Sequence, residues 1–154
     1  MLLVRRIGAA LVAGLLFSAQ AMADMALNSD VTPDTISGTI CTAGYTKAIR
    51  PSTTYTNGVK FKLMREAGVD QSQSADYALD HIVPLVLGGS PRSRQNLRLL
   101  TARENSRKSR IEVKLRCMVC SGQLPLQTAQ EAIYNDWQGA YHQYATVKCQ
   151  RDRF

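Results

Sequence analysis

The stretch from Tyr77 to Cys120 carries enough punctuation to dictate its own local fold. Tyr77 to Leu87 is mainly apolar, rich in Ile, Val and Leu, and contains Pro84. Proline has no amide hydrogen for a strand ladder, so the run predicts a short strand ending near His81 to Val83. Gly88 to Gln95 reads as turn and loop, and Asn96 to Leu100 as the returning strand. Thr101-Ala102-Arg103-Glu104 then matches a capping box, with Thr101 as N-cap and Glu104 reaching back to it. A helix from Ala102 to about Val119 follows. At about 100° per residue it carries Ile111, Leu115 and Met118 on one side. Asn105, Lys108, Glu112 and Arg116 fall on the neighbouring face.

The rest of the chain reads as helices and connecting segments. Residues 24–40 are polar, small and turn-rich, with Pro33 and Gly38, and read as a flexible lead-in. Cys41 to Thr54 is irregular. A helix is expected over Asn57 to Ala67, capped by Asn57 or Thr56, with Phe61 and Met64 inward and Gly68 ending it. Gln71 to Asp76 is a polar loop. In the last predicted helix, Leu126 to Tyr144, Leu126, Ala129, Ile133, Trp137, Ala140, Tyr141 and Tyr144 recur at helical steps. An aromatic stripe of this kind is core, with Trp137 as its anchor. His142 has no acidic or cysteine partner at ligand spacing and belongs to the surface. The predicted fold class is α+β, a short β-hairpin plus helix embedded among further helices. Its domain spans 41–149, with the core motif at 77–118.

Residues 1–23 read as a secretory signal. Arg5 and Arg6 precede an apolar stretch, Ile7 to Ala19, and Ala21-Met22-Ala23 is a small-x-small cleavage site. The apolar run of about 13 residues is shorter than the roughly 20 that span a bilayer. The mature chain is therefore expected to leave the cytoplasm, for the periplasm or the medium, without a membrane anchor. Its about 130 residues suffice for one domain with a buried core. Four cysteines, Cys41, Cys117, Cys120 and Cys149, in an exported chain most simply make two disulfides. Zinc bound by Cys117 and Cys120 is the rival reading, but no second pair stands at metal spacing. A redox Cys-x-x-Cys lacks its βαβ setting.

The formal net charge is +7, and it is unevenly placed. Nine bases (Arg92, Arg94, Arg98, Arg103, Arg107, Lys108, Arg110, Lys114 and Arg116) lie in the stretch where only Glu104 and Glu112 are acidic. A polyanion is the natural partner of such a surface. Phosphodiester hydrolysis needs a base to activate water, charge neutralisation at phosphate and help for the departing oxygen. Asp80 and the side-chain oxygen of Asn105 are hard ligands suited to one divalent ion. Mg²⁺ fits best, with Mn²⁺, Ni²⁺ or Zn²⁺ as further options. His81 titrates near neutrality and suits the base. Neighbours on an extended strand point to opposite sides, so Asp80 and His81 share a site only where the strand ends or distorts, as Pro84 suggests. Asn96 is placed to fix the imidazole by a hydrogen bond, and Lys108, with Arg103, Arg107 and Arg116, to contact phosphate.

Each element alone is weak, but their joint spacing is specific. Asp80-His81-Ile82-Val83-Pro84-Leu85, Gly88-Gly89, Asn96-Leu97 and Asn105-x-x-Lys108 together resemble the HNH endonuclease motif, the ββα-metal or His-Me finger. The resemblance implies Asp80 and Asn105 as metal ligands, His81 as general base and Asn96 as the residue that positions it. More loosely, the chain resembles small exported bacterial HNH-domain proteins opening with a Cys-Thr-x-Gly-Tyr-Thr stretch, here Cys41 to Thr46. Many HNH domains carry Cys-x-x-Cys just before the last ligand. Thr101 and Glu104 stand there instead, so no structural zinc is expected and disulfides take over the stapling.

The leading expectation is a metal-dependent endonuclease cutting DNA, favoured over RNA, with little sequence specificity. The chain offers no reader module, and a basic face binds phosphate irrespective of sequence. The alternative is a non-catalytic nucleic-acid-binding module on a degenerate HNH scaffold. An exported structural protein is a third reading, which leaves the set Asp80, His81, Asn96 and Asn105 unexplained.

Overall fold

In a computed structural model, the structure describes residues 24–150; the expected leader lies outside the described residues. Two helices, α1 (Tyr45–Ile49) and α2 (Thr53–Glu66), precede a two-stranded antiparallel sheet of β1 (Tyr77–His81) and β2 (Leu97–Thr101). Two long helices, α3 (Ala102–Cys120) and α4 (Leu126–Tyr144), follow and pack on each other. This is the α+β arrangement expected.

The boundaries follow local chemistry. Ser52 caps α2 by accepting a hydrogen bond from the Tyr55 amide, so the helix starts earlier than the expected Asn57 or Thr56. It closes at Gly68, whose φ of 67° is left-handed, and Val69 N donates back to Met64 O. The sheet has an uninterrupted register, with Asp80 opposite Arg98 and His81 opposite Leu97. At the start of α3 the capping box is complete. Thr101 Oγ1 accepts from Glu104 N, and Glu104 Oε2 accepts from Thr101 N. Inside α4, Asp136 leaves helical geometry (φ −156°, ψ 87°), and its side chain accepts from Gln138 N, starting the second half of the helix.

The core is built mainly from Ile111, Leu115 and Val119 of α3 against Leu126, Ala129, Ile133 and Trp137 of α4. Val83 and Leu87, from the loop between the strands, close one side. Residues 24–40 are not a loose lead-in. Met25, Val31 and Ile40 are buried in that core, and Leu27 bridges to Gly89. Scattered apolar residues without helical or strand period hid this docking from the sequence. All four cysteines are oxidised, as Cys41–Cys120 and Cys117–Cys149. Both bonds fasten chain ends to the last turns of α3. Among the described residues no helix is long and apolar enough to cross a membrane.

Candidate active site

β1 ends where the next rung of the ladder is replaced by a side chain. Ile82 N still donates to Asn96 O, but Val83 N donates to Asn96 Oδ1 (2.8 Å), and Asn96 Nδ2 donates to Val83 O and Ser90 O. Asn96 is buried, so these bonds satisfy a side chain that water does not reach. The loop they gather turns at Gly88, with φ of 81°. At Gly89 the chain passes so close that a Cβ would overlap Val83 O and press on Asn96 Nδ2. Only glycine fits there.

This loop delivers a carbonyl to the histidine. His81 Nε2 lies 3.1 Å from Pro91 O. A carbonyl only accepts, so Nε2 carries the proton and Nδ1 is left as the basic nitrogen. Burial holds the His81 pKa below its ordinary value. The Pro91 carbonyl and Asp80 oppose that shift, while Arg50 and Lys108 add to it. Asn96 therefore makes no hydrogen bond to the imidazole. It braces the loop from Val83 to Ser90, next to the carbonyl that does.

Asp80, 4% exposed, is held by two cations: Arg98 Nε donates to Oδ2 (2.9 Å) and Lys108 Nζ to Oδ1 (3.0 Å). Lys108 also donates to His81 O (2.7 Å) and Glu112 Oε1 (2.8 Å), so all three ammonium hydrogens are spent. It is fully buried. The expected phosphate contact from Lys108 is thus absent: this lysine is the internal strut joining β1 to α3. Burial of its partner Glu112 pushes that carboxyl pKa up, against the opposing charge of Lys108.

Asp80, His81, Asn105 and Glu112 line one cavity of about 180 Å³, together with Arg50 from the link between α1 and α2. The strand end lets adjacent residues share it. Asp80 and Asn105 offer oxygen donors from β1 and α3. Each Asp80 oxygen accepts one hydrogen bond and keeps a further lone pair. Two such ligands suit a hard divalent ion, which keeps waters and takes substrate oxygens elsewhere.

The other expected phosphate contacts are not gathered there. Arg107 stacks over Trp137 and Tyr141, 6.0 and 5.5 Å from their ring centroids. Arg116 Nε donates to Ile40 O, pinning the N-terminal segment. Arg103 is exposed, about 160° around the helix from Asn105. Most of the basic run is structural: Arg92 covers Tyr55, Arg94 pairs with Glu66, and Lys114 donates to Val147 O. Two charged lining residues, Glu112 and Arg50, had no assigned role from the sequence. Helical spacing puts Glu112 on the face of Asn105, but nothing in its neighbourhood announces a site. Arg50 carries no local signal at all.

Comparison of the chain with protein-family models, curated proteins and solved structures finds no significant match.

Proposed function

We propose that the protein is a metal-dependent phosphodiester hydrolase of the HNH type, acting on DNA outside the cytoplasm with little sequence preference. The observation that carries this reading is the convergence of Asp80, His81 and Asn105 on one cavity, each from the element the motif assigns to it. Asp80 and Asn105 would hold a divalent ion, most suitably Mg²⁺, which when bound supplies charge stabilisation at the phosphate and the leaving oxygen. His81 takes the proton from water at Nδ1, while Pro91 O holds Nε2–H and so fixes ring and tautomer. Lys108 and Arg98 keep the Asp80 carboxylate in place by bonding one oxygen each. Glu112 holds the ammonium of Lys108 from the far side. The two disulfides fit an oxidising compartment.

Digestion of a supercoiled plasmid by the oxidised protein tests the reading. Cutting is expected with Mg²⁺ or Mn²⁺ and not with EDTA. An inactive wild type across divalent metals would leave the non-catalytic nucleic-acid-binding module as the better reading.

A further inference from the structure

A second cavity, of about 340 Å³, adjoins the first and shares Arg50, Leu79 and His81 with it. It lies along the start of α2 and the outer side of β1, where Thr56, Asn57, Lys60 and Tyr77 contribute to its wall. Beside His81, Arg50 and Lys60 line it, and no acid does. Lys60 spends its ammonium partly on Ser74, donating to its carbonyl and hydroxyl oxygens. Arg50 is exposed and, among the described residues, is the one arginine or lysine lining both cavities. The bases expected to meet phosphate lie elsewhere: Lys108 is buried against carboxylates, Arg107 covers Trp137 and Tyr141, Arg116 holds Ile40 O, and Arg103 faces away from Asn105. Arg50 thus stands beside His81 with its guanidinium exposed to an incoming anion.

We propose that Arg50 is the phosphate clamp of this site, and that the adjoining cavity receives the nucleotide flanking the bond presented to His81. This rests on the phosphodiester reading above and names the residues that hold its substrate. A planar guanidinium matches a phosphate with two parallel donors. The cavity volume falls near the lower end of ligand pockets, about 300 Å³, which suits a single nucleotide. Thr56 and Asn57 offer hydroxyl and amide groups to sugar or base edges, and Tyr77 offers a ring face. The clamp is thus supplied by the segment before α2, from outside the hairpin-and-helix motif.

Binding of a fluorescent single-stranded oligonucleotide, in EDTA so that no cutting occurs, separates this proposal from the nuclease reading. Arg50→Ala is expected to weaken binding about tenfold and to lower the slope of log affinity against log salt by about 0.7. Arg110→Ala, an equal charge loss well around α3 from Asn105, should change affinity by less than about threefold and leave the slope unaltered. Asn57→Trp, which fills the cavity without altering charge, should also weaken binding while the protein melts as wild type does. Where plasmid is cut, Arg50→Ala should raise KM and leave kcat near wild type. Loss of binding in Arg50→Ala supports the clamp even if the wild type cuts nothing, and the nuclease reading alone then fails. Equal binding by Arg50→Ala and Arg110→Ala overturns the clamp, whether or not the wild type cuts. A wild type that neither binds nor cuts overturns both, and unchanged affinity in Asn57→Trp overturns the nucleotide pocket.

Discussion

At the scale of single residues, Lys108 defines how this site is held. Sequence presents it as a charge on a basic helix, three residues beyond Asn105. The structure buries it among Asp80, Glu112 and the His81 carbonyl. A surface phosphate contact and an internal strut differ in what their removal does. Deleting one partner of a buried ion pair leaves an uncompensated charge and costs about 3–5 kcal/mol, whereas an exposed residue costs within about 0.5 kcal/mol. Lys108→Ala should therefore lose about 3 kcal/mol in denaturant unfolding, the lower end, since Glu112 can take up a proton. A loss under about 0.5 kcal/mol would return Lys108 to the surface role. Burial is a long-range property, set here by β1 and α3 closing over the side chain, so no local pattern could announce it. Arg50 escaped the sequence for the same reason: only the packing of the segment before α2 against β1 brings it to His81.

At the scale of elements, caps were the legible part. Thr101 and Glu104 fixed the start of α3, and with it the phase that turns Asn105 toward the hairpin. The box keeps the Glu104 pKa low, mainly through the hydrogen bond from the Thr101 hydroxyl. A carboxyl with a lowered folded pKa favours the folded state above its ordinary value, here 4.5. That contribution is lost as pH falls from 4.5 through the folded value. Thr101→Ala should cost about 1 kcal/mol at neutral pH and less below pH 4.5, measured by urea unfolding at both. A cost that grows in acid would contradict the box. Elements without a sharp cap were read less well. Ser52 was lost in a Ser/Thr cluster, which starts α2 several residues before Asn57. The break at Asp136 sits within an unbroken apolar stripe, so periodicity passed straight over it.

At the scale of the whole molecule, two disulfides gather the chain onto the end of α3. Cysteine count and the expected export signal made the bonds legible, but not which cysteine meets which. Pairing depends on where residues 24–40 and the C-terminal tail dock, and neither has a period to read. Cys41–Cys120 spans 79 residues and Cys117–Cys149 spans 32. On the chain-entropy view the first is worth roughly 4.5 kcal/mol and the second about 3.7. Replacing Cys41 and Cys120 together by serine should thus destabilise somewhat more than replacing Cys117 and Cys149. Denaturation of the two double variants ranks them, and a much larger loss from the second pair would mean that docking of the tail dominates.

The hairpin and the Gly88-Gly89 turn bring Asp80, Asn105 and His81 to one cavity, where the proposed function divides metal binding from proton transfer among them. Mn²⁺ affinity and single-turnover plasmid cutting, measured side by side on the same variants, address that division directly. His81→Ala should bind Mn²⁺ as the wild type does and cut at least about a hundredfold more slowly, while Asn105→Ala should weaken Mn²⁺ binding. Cutting by His81→Ala at the wild-type rate, or Mn²⁺ binding indifferent to Asn105, would contradict it.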